Sequence, residues 1–598
     1  MTTHDDAGND AKGRDLDVMT ANIAKIEALS NRLIAAMARK KPIPVALQGP
    51  SQDLFAKASS AYVAEMINNP AKIIEHQIGY WGKTMTHLAE AQTKLAKGDY
   101  TPAPDDGPKD RRFSNPLWDT HPYFNFVKQQ YLSNAQAMTQ AVQDIEGLNA
   151  TDRKRMDYFA KQIVDMLAPT NFLATNPDAL EQAVATNGDS LVAGLENLVR
   201  DVENNDGEVV VSLADTEAFE VGRNLGTTKG SVVFRNRMFE LIQYAPTTEQ
   251  VHETPLLIFP PWINKFYILD MKEKNSLIKW VVDQGYTLFV VSWVNPDESY
   301  AQVGMDTYID EGFLTAIDQV KQITHSDQIN VTGYCIAGTT LSIALGLMAQ
   351  RKDTSVRSAT FFTTLTDFSD QGEVGVFLDD DFVDGIEAEA TRAGIMRSFY
   401  MSRTFSYLRA NDLIYQPAIR SYMLGEAPPA FDLLYWNGDS TNLPAKMAVE
   451  YLRNLCQGDL LATTGFPVLD HTVQLSDVSV PVCAIGCETD HIAAWTSSYA
   501  GVQKMGSPDK TFILSESGHI AGIVNPPSKL KYGHYLNADM SLPAEAWKKG
   551  ADFTKGSWWP TWDAWLKPQS GPLIPARRIG DSGASVLGDA PGTYVKGG

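Results

Sequence analysis

The sequence predicts an α/β fold, with a doubly wound and mostly parallel sheet following a largely helical amino-terminal domain. Three observations carry this. At 598 residues the chain exceeds what one hydrophobic core holds, so at least two domains are expected. Apolar residues recur at helical spacing through most of roughly the first 200 residues. Beyond residue 225, short apolar runs alternate with helical patterns, as in a sheet built from crossover units.

Ile23, Ile26, Leu29, Leu33 and Met37 recur every three or four residues, which predicts an amphipathic helix from Asn22 to Lys41, stopped by Pro42 and Pro44. Its other face carries Lys25, Arg32, Arg39 and Lys40. Such a helix either docks on its own domain or adsorbs to an apolar surface or partner. Helical periodicity continues over Asp53–Lys97, breaks in the turn-rich Gly98–Pro116 and resumes over Phe124–Leu167. The character changes after Asn204–Gly207. Val232-Val233-Phe234 and Phe239–Tyr244 are rich in β-formers and read as strands, so the domains are placed at 1–225 and 226–598. Further strands are expected at Leu256–Phe259, Thr287–Trp293, Gln328–Val331, Ala359–Phe362, Val482–Ile485 and Thr511–Leu514. The aromatic-rich stretch at about 368–477 is too long for an ordinary connection and is expected to form a cap over the site.

Composition narrows the function classes. Hydrophobic residues at 44% against charged residues at 21% describe a folded globular protein rather than a disordered one. A net charge of -21 argues against wholesale nucleic-acid binding, and an anionic substrate would need a local basic patch. Met1–Asp17 lacks the apolar segment of a secretory signal, and apolar runs such as Thr287–Val294 are too short to span a bilayer. A soluble, intracellular protein is expected. Four cysteines, Cys335, Cys456, Cys483 and Cys487, are too few for a disulfide framework and fit a reducing compartment.

One of these cysteines stands apart. Gln328–Leu347 reads as a buried strand, a turn of small residues around Gly333, Cys335 and Gly338, and an apolar helix beginning near Thr339. That is the nucleophile elbow of an α/β-hydrolase fold, with sulfur in place of oxygen and a helix N-terminus to stabilise a thiolate. A buried core cysteine would not need the flanking glycines. In this scaffold an acid and then a base follow the nucleophile at the carboxyl ends of later strands. Asp490 and His519 have that order and place. His491 is a rival base, but neighbours on extended chain point opposite ways, so it is expected to support or wall the site. Asp367, a rival acid, is expected to cap its own loop. Cys456, Cys483 and Cys487 follow no metal spacing and are expected to be structural. The oxyanion hole should use the Ile336 N–H plus a donor from Phe259–Lys265; Pro260 and Pro261 have no N–H, leaving Trp262 or Ile263.

At these residues the sequence resembles the polyhydroxyalkanoate synthases, whose lipase-like box carries cysteine. The matching segments are Gly333–Thr339, Pro260–Asp270, Tyr435–Pro444, Thr489–Trp495 and Ser517–Gly522, with Phe113–Trp118 and Pro169–Pro177 in the helical part. Ala337 departs from the box, where a second glycine is usual; alanine still fits a tight elbow. The resemblance implies that Cys335, Asp490 and His519 are nucleophile, acid and base. The long amino-terminal part resembles class I, which implies (R)-3-hydroxyacyl-CoA substrates with short chains such as 3-hydroxybutyryl-CoA favoured, a homodimer, and cytoplasmic polyester granules as the working surface, where granule-associated proteins are further partners. Class II, for medium chains, is the nearer alternative. The resemblance implies no cofactor, CoA being part of the substrate and a product. Because every residue given a chemical role lies after residue 255, while Asn22–Lys41 offers one apolar and one cationic face, the amino-terminal domain is expected to serve granule attachment and dimer support. Two rivals differ in class: a hydrolase on the same scaffold and a non-catalytic granule coat. The cap and family segments favour acyl transfer over hydrolysis, and the Cys, Asp and His set argues against a coat.

Overall fold

The computed structural model describes residues 6–40, 110–580, 583 and 585–597; the stop at Pro42 and Pro44, the periodicity over Asp53–Lys97 and most of the turn-rich stretch lie outside them. The chain divides into two compact units, one of residues up to Asp215 with Arg409–Pro429, the other of Thr216–Leu408 with Ala430–Gly598. The division falls ten residues before the position read from the change of pattern, 225 less 215. It also withdraws 409–429 from the stretch read as one continuous cap. Propensity marks where strands begin, but only packing shows which unit a helical segment joins.

The first unit is helical. Its long helices are α1 (Asp6–Met37), α2 (Pro122–Gln143), α3 (Ala150–Met166) and α4 (Asp189–Asn204). The apolar stripe of α1 is already covered: Leu29 is buried and Ile26 and Leu33 partly so, against Val192, Leu195 and Val199 of α4. Asn22 donates to Asp189 at 2.8 Å, and Arg32 pairs with Glu203 at 2.9 Å. The expected five-residue face is therefore split, since Ile23 is 61% exposed and Met37 46%. The other side of α4 receives Arg409–Pro429. Asn197 donates to the carbonyls of Ser421 and Glu426, and the buried Asp201 accepts from the Tyr422 hydroxyl at 2.8 Å. A second core gathers Phe113, Trp118, Phe124, Tyr131 and Ala168.

The second unit is built on eleven strands: β1 (Gly230–Arg235), β2 (Phe239–Tyr244), β3 (Leu256–Phe259), β4 (Leu288–Trp293), β5 (Ile329–Tyr334), β6 (Val356–Phe362), β7 (Val482–Cys487), β8 (Lys510–Ser515), β9 (His534–Leu536), β10 (Asp552–Thr554) and β11 (Gly588–Asp589). Their order is β10-β9-β8-β7-β6-β5-β3-β4-β2-β1-β11. The six central strands, β4-β3-β5-β6-β7-β8, are parallel, while both margins are antiparallel. The sheet is thus more mixed than the expected mostly parallel one, because β9, β10 and β11, of two or three residues each, are too short to show an apolar run. Central strands are buried on both faces, which is why β3 and β4 read as nearly continuous apolar runs rather than alternating ones. The helix α5 (Ile336–Gln350) follows β5 and is almost wholly buried. Within the inserted stretch, α6 (Asp380–Ala393) and α7 (Ser398–Leu408) belong to this unit.

Candidate active site

Cys335 sits between β5 and α5 with φ 53° and ψ −125°, a backbone conformation that costs a non-glycine residue about 1–3 kcal/mol. Its surroundings hold it there. The Cys335 N–H donates to Phe362 O at 2.8 Å, and its carbonyl accepts from Gly338 at 2.9 Å. A Cβ on Gly333 would stand 2.5 Å from the Gly338 Cα, and one on Gly338 would stand 2.1 Å from the Thr364 hydroxyl, so neither position takes a side chain. Ala337 is fully buried in the same turn, so the departure from the usual glycine is accommodated.

The strands β7 and β8 are parallel neighbours in register, Cys487 opposite Ser515, so the loops leaving their carboxyl ends lie side by side. Asp490 and His519 occupy those loops. Asp490 Oδ2 accepts from His519 Nδ1 at 2.7 Å, and Oδ1 accepts from the N–H groups of Ile492 and Ala493. The Cys335 sulfur lies near enough to act electrostatically on the same ring. Burial opposes charge on His519. The Asp490 carboxylate and the Cys335 sulfur, by charge and hydrogen bonding, nevertheless hold its proton affinity well above that of an ordinary histidine. Tyr334 stacks on the imidazole, with ring centroids 6.0 Å apart. Behind the histidine loop, Trp558 and Trp559 donate their indole N–H groups to the carbonyls of Gly522 and Ile523.

The rivals go elsewhere. Asp367 is buried against Lys504, 2.6 Å away, and accepts from the Ser369 N–H. His491 is half-exposed, and the carboxylate beside it is turned to His519. Cys483 and Cys487 lie inside β7. Cys456 is more telling: although buried, it lines the same cavity as Cys335. Burial pushes its thiol up to about 12.

That cavity has a volume of about 80 Å³ and an apolar wall in which Phe377, Phe382, Met401, Phe405 and Leu452 stand over Cys335, Ile336 and Ile263. The wall comes from the inserted stretch. Ile336 opens α5 directly after Cys335, so its N–H is one of the unpaired donors of the helix terminus. Of the two backbone donors expected, Ile263 lines the cavity and Trp262, whose indole donates to Thr340 at 3.1 Å, does not. Tyr451, missed in the sequence, is half-buried and lines the cavity beside Cys456; desolvation, followed by the nearby cysteine sulfurs, raises its hydroxyl well above the usual range. Only its aromatic neighbourhood could have pointed to it.

Residues 109–281 match the family profile described as "Poly-beta-hydroxybutyrate polymerase (PhaC) N-terminus", and residues 255–526 match "alpha/beta hydrolase fold". The chain is 38% identical to the "Poly(3-hydroxyalkanoate) polymerase subunit PhaC" of Rhizobium meliloti (strain 1021), over 92% of this chain and 90% of that one. It is 41% identical to the protein of the same name from Cupriavidus necator, over 81% and 83%. Among solved structures, a thermophilic esterase from Thermogutta terrifontis aligns at 11% identity over 57% of this chain and 98% of its own, with a TM-score of 0.27.

Proposed function

Since the chain belongs to the poly(3-hydroxyalkanoate) polymerases, a family of acyltransferases, we propose that it joins (R)-3-hydroxyacyl units from CoA thioesters through a covalent thioester on Cys335. The observation that carries this reading is the line of contacts from Asp490 through His519 to Cys335, at a strained elbow beneath an apolar cavity.

In the first half-reaction the thiol proton of Cys335 passes to His519, and the sulfur attacks the thioester carbonyl. The Ile336 N–H, with Ile263 as the second donor, takes the oxyanion. The C–S bond to CoA breaks and the imidazolium returns its proton to the departing sulfur. In the second half-reaction the 3-hydroxyl of another unit loses its proton to His519 and attacks the acyl-enzyme, making the ester and freeing Cys335. Asp490 holds the ring tautomer and stabilises the imidazolium in both. Cysteine suits this chemistry because thioester exchange keeps the carbonyl activated, whereas a serine ester would be less reactive. No cofactor is needed, CoA being carried by the substrate.

Short acyl groups are favoured. This is what the class I character of the long amino-terminal part implies. The working place we propose is the surface of cytoplasmic polyester granules, with the protein as a homodimer. Because Ile26, Leu29 and Leu33 at the middle of the α1 stripe are covered, attachment falls to exposed apolar residues at the end of α3 and just after it: Met166, Leu167, Phe172 and Leu173. The test is to incubate the purified protein with 3-hydroxybutyryl-CoA and follow CoA release and polymer together. Stoichiometric polymer and a covalent acyl group on Cys335 are expected; CoA release with free 3-hydroxybutyrate would make the protein a hydrolase.

A further inference from the structure

The loop that follows β3, Pro260–Asp270, is fastened residue by residue to Tyr435–Pro444 of the inserted stretch. Thr441 donates its hydroxyl to Trp262 O at 3.1 Å and its N–H to Ile263 O at 3.4 Å. Asn264 and Ser440 form an antiparallel bridge. Trp436 donates its indole N–H to Lys265 O at 2.8 Å. Asp439 then grips the loop at two points: one carboxylate oxygen pairs with Lys265 Nζ at 2.6 Å, and the other accepts the Tyr267 hydroxyl at 2.8 Å.

The Lys265 side chain is only 5% exposed. Removing an ammonium from water is costly, and a buried ion pair is commonly no more stabilising than two well-packed apolar side chains of the same size. Such a pair does, however, specify a register that apolar packing would leave free to slide. Here the register matters, because Ile263, two residues before Lys265, lines the cavity beside Cys335 and Ile336. A donor that stabilises an oxyanion has to be in place before charge develops, and small displacements weaken it steeply.

We infer that Asp439, with Lys265 and Tyr267, is a positioning clamp that holds the Ile263 N–H in the oxyanion hole and ties that donor to the inserted stretch. None of the three touches the reacting atoms. The inference rests on the proposed thioester chemistry at Cys335, and it has a consequence of its own: displacement of Tyr435–Pro444 withdraws the oxyanion donor without disturbing Asp490, His519 or Cys335.

The test exploits a reaction at the same sulfur that forms no oxyanion. Alkylation of Cys335 by iodoacetamide needs the activated thiol but no second donor. Two full-length variants are compared with wild type: Asp439→Asn, which keeps the shape, and Lys265→Met with Asp439→Leu, which removes both charges together and leaves only the Tyr267 hydroxyl without its acceptor. First-turnover release of CoA from 3-hydroxybutyryl-CoA should fall by about tenfold or more in each, short of the loss of a whole oxyanion donor. The KM and the alkylation rate should stay within about twofold of wild type. The clamp is overturned if CoA release stays within about tenfold in variants with wild-type melting temperature, or if alkylation falls in step with it. Should the double variant not fold, Asp439→Asn decides alone. Failure of the underlying chemistry is seen separately, as wild-type protein that still releases CoA after complete alkylation of Cys335.

Discussion

Replacing Asp490 by asparagine alters one charge in a site whose fold it should leave standing. The Asp490 side chain is 0% exposed and His519 7%, with 2.7 Å between Oδ2 and Nδ1. Two unit charges about 4 Å apart in an effective dielectric of about 20 attract by about 4 kcal/mol, which corresponds to roughly a thousandfold in rate. The tautomer changes as well. In Asp490→Asn the amide oxygen would still accept from the Ile492 and Ala493 N–H groups, turning the new NH₂ toward Nδ1 of His519. His519 would then carry its proton on the edge facing Cys335, where a base is required. Pre-steady-state CoA release measured with a thiol-trapping dye should therefore fall by about a thousandfold, with the melting temperature little changed. Chain transfer should suffer at least as much, so that trapped acyl-enzyme accumulates. Retention of activity within about tenfold would refute the charge argument. A loss in His491→Ala as severe as in His519→Ala would reassign the base.

Cys335→Ala should abolish CoA release and polymer while preserving the fold. Cys456 should not take over despite lining the cavity, because burial pushes its thiol up to about 12; intact-protein mass spectrometry of the variant with substrate checks for any acyl adduct. For His519 the folded protein holds the proton more tightly than the unfolded chain does. Its contribution to stability is accordingly full below about pH 6.5 and is lost as pH rises through the higher folded value. The gap in melting temperature between wild type and His519→Gln should narrow as pH is raised from about 6 to about 10, and a gap that widens would contradict the assignment. Finally, Met166→Ser, Leu167→Ser and Phe172→Ser together should move the enzyme from granule pellet to supernatant with its initial CoA release unchanged, each side chain contributing about 1–2 kcal/mol to adsorption. Ile26→Ser, Leu29→Ser and Leu33→Ser should lower the melting temperature instead, since those side chains pack on α4. Full pelleting of the first variant would show that attachment lies elsewhere.

The sequence alone determined what is local. Apolar runs buried on both faces announced β2 through β8 to within three residues at either end, and the small residues around Cys335 announced the elbow. The chain order of Cys335, Asp490 and His519 was legible too, because the carboxyl ends of parallel strands bring such positions to one edge. Tertiary structure decided which neighbours meet. Asp490 serves His519 rather than the adjacent His491, since β7 and β8 lie in register and their loops run side by side. The stripe on α1 faces α4, a choice that an amphipathic pattern leaves open because any apolar surface satisfies it. Residues 409–429 leave the cap for the helical unit. The pairing of Lys265 with Asp439 spans more of the chain than any periodicity reaches, and a charged residue's sequence says nothing about whether it is buried. Periodicity records the face a segment buries; the identity of the surface that covers it is a property of the folded chain.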